Sequence, residues 1–260
     1  MREHDLSETV APLAARDQAI IWTALGTIAM LSWIYLIRMP MVPGDLGGFA
    51  ARLAALMPAQ WADLWLVFMM WTVMMAAMMI PSASPMIMTY ARIVRGRGRG
   101  GWPRVWLFAA GYLVMWTVFS AAATAGQVLL QRALLITNAL STGPVAGGII
   151  LAVAGIYQFT PLKAACLSYC QSPIGFFMTN WREGTSGALW MGLKHGAFCI
   201  GCCWMLMALL FVAGVMNLIW IAALSAFVLI EKAVPRGELI ARLAGAAMIA
   251  GAVVLMMRAG

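Results

Sequence analysis

Three of the five cysteines, and the histidine that lies outside the N-terminal tail, fall within nine residues: His195-Gly-Ala-Phe-Cys199-Ile-Gly-Cys202-Cys203. On a helix, with His195 as origin and about 100° per residue, Cys199 lies at about 40°, Cys202 at about −20° and Cys203 at about 80°. All four therefore share one arc. A neutral imidazole among soft thiols on one helix face suits Cu(I) or Zn(II), with Cu(I) favoured. Cys202 and Cys203 are adjacent and diverge, so one of them can point away from a ligand. Cys166 and Cys170 are four apart and share a face of the preceding helix, where they would complete the shell or form a second station.

A second set of soft donors precedes this one. Met70, Met74 and Met78 form a stripe at four-residue steps, with Met75 and Met79 beside it, in a chain holding 22 methionines. Thioethers accept Cu(I), so the stripe is a possible metal relay. Methionine is also a pliable filler of helix interfaces, and both readings stay open.

A thiol redox centre is the rival chemistry, because Cys199-Ile-Gly-Cys202 has the Cys-x-x-Cys spacing. The pair lies inside a helix rather than at its start, and disulfide geometry is hard to reach along a straight helix. Metal binding is the better reading. No Ser-His-Asp set, phosphate loop or His-Glu-x-x-His motif is present, so no catalytic residues are assigned. Lys163 is read as snorkelling to water, although facing inward it would favour a thiolate. Glu231 and Lys232 read as a capped helix end at an interface.

These donors sit in a chain of 260 residues that is 63% hydrophobic and 10% charged. A soluble domain has roughly 45–50% apolar and about 25% charged residues. Recurrent apolar runs near 20 residues predict an all-α, polytopic helical membrane protein in contact with the lipid bilayer. Seven transmembrane helices are expected, at roughly 18–37, 62–80, 105–130, 147–165, 188–213, 216–230 and 239–257. The sixth is short, and it could form a broken pair with the fifth. Pro81 and Pro85 are expected to break the second, and Pro161 to kink the fourth and free the Tyr157 carbonyl for Thr160 or Gln158.

Arg92, Arg95, Arg97, Arg99 and Arg104 crowd the link between spans two and three, whose Arg-Gly-Arg-Gly-Arg core should be flexible. Calling that link cytoplasmic puts the N-terminus inside. Arg38, Arg52, Arg132 and Arg258 are then the basic residues left outside, of 17 Lys and Arg in all. The net charge of +8 is thereby explained by the positive-inside bias, and no nucleic-acid partner is expected. The expected organisation is one helical membrane domain over 1–260. It has a cytoplasmic tail (1–17), an outer loop (39–61) and a basic cytoplasmic loop (92–104). Leu46, Phe49, Leu53 and Leu56 suggest a short interfacial helix within the outer loop.

Several of these motifs together resemble a bacterial family of predicted metal-binding integral membrane proteins, whose domain has no assigned function. They are Met74-Met-Ala-Ala-Met-Met-Ile-Pro-Ser82, Thr160-Pro-Leu-Lys163, Cys166, Cys170-Gln-Ser-Pro173, Gly192-Leu-Lys-His195, Cys199-Ile-Gly-Cys-Cys-Trp204, Gly214-Val-Met-Asn217 and Glu231-Lys232. The similarity covers roughly residues 60–257. It implies metal binding without a reaction, and a multi-pass protein of the bacterial inner membrane. It departs at Tyr169 and Gln171, where the family often carries a histidine and a basic residue, which weakens a site built on Cys166 and Cys170.

The expected function is binding of a soft transition metal, most plausibly Cu(I), for trafficking or for loading a protein partner. His195, Cys199, Cys202 or Cys203 would be ligands, with Cys166 and Cys170 behind them. A membrane thiol or metal oxidoreductase is the enzyme alternative. A structural subunit of a larger membrane complex is the third.

Overall fold

The computed structural model describes residues 13–38, 59–96, 101–132 and 143–258. Among these, the ordered elements are helices and no strand occurs. They are α1 (Ala15–Arg38), α2 (Ala59–Gly96), α3 (Trp102–Arg132), α4 (Pro144–Tyr157), α5 (Pro161–Gln171), α6 (Pro173–Asn180), α7 (Gly184–Ala208), α8 (Leu210–Ala213), α9 (Leu218–Ala233) and α10 (Gly237–Met257). Helix α7 packs against α3 on one side and α5 on the other. Helix α2 packs against α1, α3 and α9, and α4 pairs with α10.

Five stretches are long and apolar enough to cross a membrane: Ala15–Arg38, Asp63–Arg95, Trp102–Gln131, Gly184–Ala213 and Gly237–Met257. The pair α4 and α5, bent by 65°, makes a sixth if it counts as one broken span. The bend sits where expected. Pro161 has no N–H for the Tyr157 carbonyl, which instead accepts from Thr160 Oγ1 at 2.7 Å and from Thr160 N at 3.0 Å. Among the described residues the count by length and composition is therefore five or six, against the seven expected. Helix α9 accounts for the difference between six and seven. Its 16 residues reach only about 24 Å at 1.5 Å each, short of the roughly 30 Å hydrocarbon layer. It is separated from α7 and α8 by a turn at Gly214 (φ 94°), and Asn217 Oδ1 caps it by accepting from Ile219 N at 3.2 Å.

Pro81 and Pro85 do not break α2, contrary to expectation, and it runs unbroken for 38 residues. Neighbouring groups supply the hydrogen bonds that the prolines remove. The Ala77 carbonyl, four residues before Pro81, accepts from Trp33 Nε1 of α1 at 3.2 Å. The Pro81 carbonyl, four before Pro85, accepts from Ser84 Oγ at 2.8 Å. The Met79 carbonyl accepts from Ser82 Oγ at 3.0 Å and Tyr112 OH at 3.1 Å. With those acceptors satisfied, the helix has no reason to stop.

The basic link is also shorter than expected. Helix α2 continues through residue 96, and Arg95 is held rather than flexible: its Nε donates to Asp17 Oδ2 at 2.7 Å, and its Nη2 donates to the same oxygen. An acidic first turn of α1 thus meets a basic last turn of α2, each favourable to its helix dipole. The expected interfacial helix, most of the outer loop and most of the N-terminal tail lie outside the described residues.

Candidate metal centre

The centre is set by how closely α3 and α7 approach. A Cβ at Gly192 would stand 2.1 Å from the Phe108 carbonyl oxygen, and one at Gly111 would stand 2.5 Å from the Leu189 oxygen. Backbone contact at this separation puts the next turn of α7 directly on α3. His195 is consequently sandwiched by aromatic rings. Tyr112 and Phe108 stack on it at 5.4 and 6.1 Å, and Phe176 meets it edge-on at 5.5 Å. It is buried, and its Nδ1 has no hydrogen-bond partner.

One turn on, Cys199 Sγ accepts from Lys232 Nζ at 2.9 Å and lies 3.1 Å from Tyr112 OH. Lys232 Nζ also donates to Ser82 Oγ at 3.2 Å. The uninterrupted proline segment of α2 thus presents Ser82 to the same centre. Cys202 Sγ lies 4.0 Å from Cys170 Sγ of α5. The Cys202 and Cys203 thiols donate to the Cys199 carbonyl at 3.1 and 2.9 Å. All five cysteines are free thiols, and every one but Cys170 is buried.

The structure therefore brings Cys170 and Cys202 together side chain to side chain, while the Cys199 sulfur faces Lys232 and Tyr112. Of the adjacent pair, Cys202 is the one that reaches across to α5. Cys166 occupies a notch in α7, where a Cβ at Gly201 would stand 2.7 Å from its sulfur. Met70, Met74 and Met78 are buried in the core of α2, as are Met75 and Met79. Tyr112 OH, on the Met79 carbonyl, connects that helix to the Cys199 sulfur.

Two charged residues occupy places other than those expected. Lys163 does not snorkel to water; its side chain is 1% exposed, and its Nζ lies 2.6 Å from Glu231 Oε1, itself fully buried. Glu231 and Lys232 are not a surface helix end. Gln171 Nε2 donates to the Glu231 and Val234 carbonyls at 2.8 and 3.0 Å, anchoring the last turn of α9. That anchor sets where Lys232 meets the Cys199 sulfur. Sequence reasoning missed Tyr112, Ser82 and Lys232 as parts of the centre. The signal for Lys232 was present in α9, where the buried residues Ile221, Leu224, Val228, Glu231 and Lys232 recur at three- and four-residue steps.

The donor chemistry fits a soft metal ion. Sulfurs 4.0 Å apart can each reach a metal at about 2.3 Å with an angle near 120°, the value for a trigonal site. The present arrangement is nevertheless not a finished cage. Among the described residues no group of three or more His, Cys, Asp or Glu side chains is disposed to hold a metal ion. The geometry gives the reason. The Cys202 and Cys203 thiols are turned onto a backbone carbonyl, and an ammonium stands against Cys199. Loading would need thiol rotation and loss of those hydrogen bonds.

Residues 68–255 match the PpoB2 family, described as a copper chaperone, and the chain belongs to that family. No curated protein and no solved structure matches it.

Proposed function

We propose that this member of the copper chaperone family is a single-domain, multi-pass membrane protein that binds Cu(I) and hands it to a partner protein. Cys170, Cys199 and Cys202 would be the sulfur ligands. His195, one turn before Cys199 with its Nδ1 unpartnered, would be the nitrogen donor. Cys203, Cys166 and the Met70, Met74 and Met78 stripe stand behind them as further soft donors on the route in or out. The observation that carries this reading is the meeting of thiols from α5 and α7 in the interior, at 4.0 Å between Cys170 and Cys202. Thiolates and imidazole select soft or borderline ions over hard ones, and a bilayer interior has few other uses for such a set.

The membrane setting rests on the exterior. Trp22, Leu31, Val118, Ile149, Leu243 and Val253 are each more than half exposed, and they lie on α1, α3, α4 and α10. A soluble monomer seldom shows contiguous apolar surface beyond a few hundred Å². The bias of basic residues supports an N-terminus in the cytoplasm, in keeping with a protein of the bacterial inner membrane.

A second reading, thiol oxidoreduction, is favoured by the same Cys170 and Cys202 pair. These two thiols lie on different helices, free of the restriction that applies to Cys199 and Cys202 within one helix.

Copper content decides between the readings. The protein purified in detergent under reductant is expected to retain about one Cu(I) per chain against a competing chelator. Cys199→Ser, Cys202→Ser and His195→Ala should weaken retention by roughly 10–100-fold or more, the range for loss of a group that supports a metal site. Cys166→Ser should leave retention nearly unchanged. A copper-free protein whose Cys170 and Cys202 cycle reversibly between dithiol and disulfide would instead establish the redox reading.

A further inference from the structure

Lys232 has no role in the reading above, yet its ammonium stands 2.9 Å from the sulfur of Cys199 and 3.2 Å from Ser82 Oγ. It is a buried cation at the position where another cation would bind. The neighbouring charges do not offset it. Glu231, the adjacent residue, is taken up by Lys163 at 2.6 Å, and that pair is neutral as a unit.

The energy between two charges is proportional to their product and inversely proportional to dielectric and distance. A fixed positive charge beside the centre therefore opposes a divalent ion twice as strongly as a monovalent one. Sulfur donors alone do not make this distinction, since thiolates bind both Cu(I) and Zn(II) well. The number of thiols deprotonated on binding cancels when the two ions are compared at the same ligands.

We infer that Lys232 is the residue that makes this centre selective for soft monovalent ions, Cu(I) or Ag(I), over soft divalent ions such as Zn(II) and Cd(II). This rests on the thiol centre proposed above. Ser82 and the Gln171 anchor on α9 are the groups that hold the lysine in place.

The test compares Ag(I) and Cd(II) as probes, titrated into the reduced, detergent-purified full chain and followed by sulfur-to-metal charge-transfer absorption. In Lys232→Met the ratio of Ag(I) to Cd(II) affinity is expected to fall by about a hundredfold, mainly because Cd(II) binds more tightly. That is the scale of one unit charge a few Å away at an effective dielectric of about 20. Lys232→Arg keeps the charge and should keep the ratio. Lys232→Gln keeps a donor for Cys199 and Ser82 but not the charge, and should follow Lys232→Met. It also serves if the methionine variant does not fold. An unchanged ratio in the neutral variants, or a Lys232→Gln variant that matches the wild type, would overturn the inference while leaving the thiol centre intact. Absence of thiol-dependent Ag(I) binding by the wild type would overturn both.

Discussion

Glu231→Ala is expected to destabilise the protein by about 3–5 kcal/mol, the range for breaking a buried ion pair from one side. Lys163 would be left with its charge buried and unpaired, its side chain being 1% exposed. The unfolding midpoint in detergent should fall on the order of 10 °C, by the scaling of roughly 2–4 °C per kcal/mol for a chain of this size. Replacing both partners by apolar residues of similar volume, Lys163→Met with Glu231→Leu, should recover most of the loss, because a desolvated pair contributes little net stability. A double variant as unstable as the single one would show that the pair has a further role, such as setting the end of α9. The copper readout separates the two possibilities. If Glu231 only balances Lys163, the double variant binds Cu(I) as the wild type does.

Gly192→Ala acts on the other wall of the centre. The added methyl would meet the Phe108 carbonyl oxygen at 2.1 Å, and a backbone atom cannot swing aside as a flexible side-chain end can. Helices α3 and α7 must separate, which costs about 1–3 kcal/mol or more. His195 and Cys199 lie on the following two turns of α7, against Tyr112 of α3, so Cu(I) affinity should drop with stability. Gly126→Ala is the matched control. A Cβ there has no atom within 4 Å, and helix propensity alone should make the change neutral or stabilising by up to about 1 kcal/mol. Thermal unfolding and copper retention measured on both variants check the contrast.

Much of the helical plan was legible in the sequence because apolar run length reports directly on helices that cross a hydrocarbon layer. The bend at Pro161 was legible too, since a proline removes one identifiable donor and Thr160 stood beside the freed carbonyl. The same local reasoning failed at Pro81 and Pro85. The groups that satisfy the freed carbonyls there include Trp33, 44 residues away on another helix, which no local rule can see. Helix α9 read as a span because its residues are apolar, but at 16 residues it is too short to cross unaided. The thiol face of α7 followed from spacing alone. Lys163, Glu231 and Lys232 did not, because isolated charges near a helix end default to the interface. Here two of them are each satisfied by a partner on a different helix, and the third by a sulfur.

Whether Cu(I) sits among thiolates of α5 and α7 can be read from X-ray absorption at the copper edge of the loaded protein. A Cu(I) edge is expected, with sulfur neighbours near 2.3 Å and one fewer sulfur in Cys202→Ser. A copper shell made only of nitrogen and oxygen, or a sulfur count unaltered in both Cys170→Ser and Cys202→Ser, would contradict it.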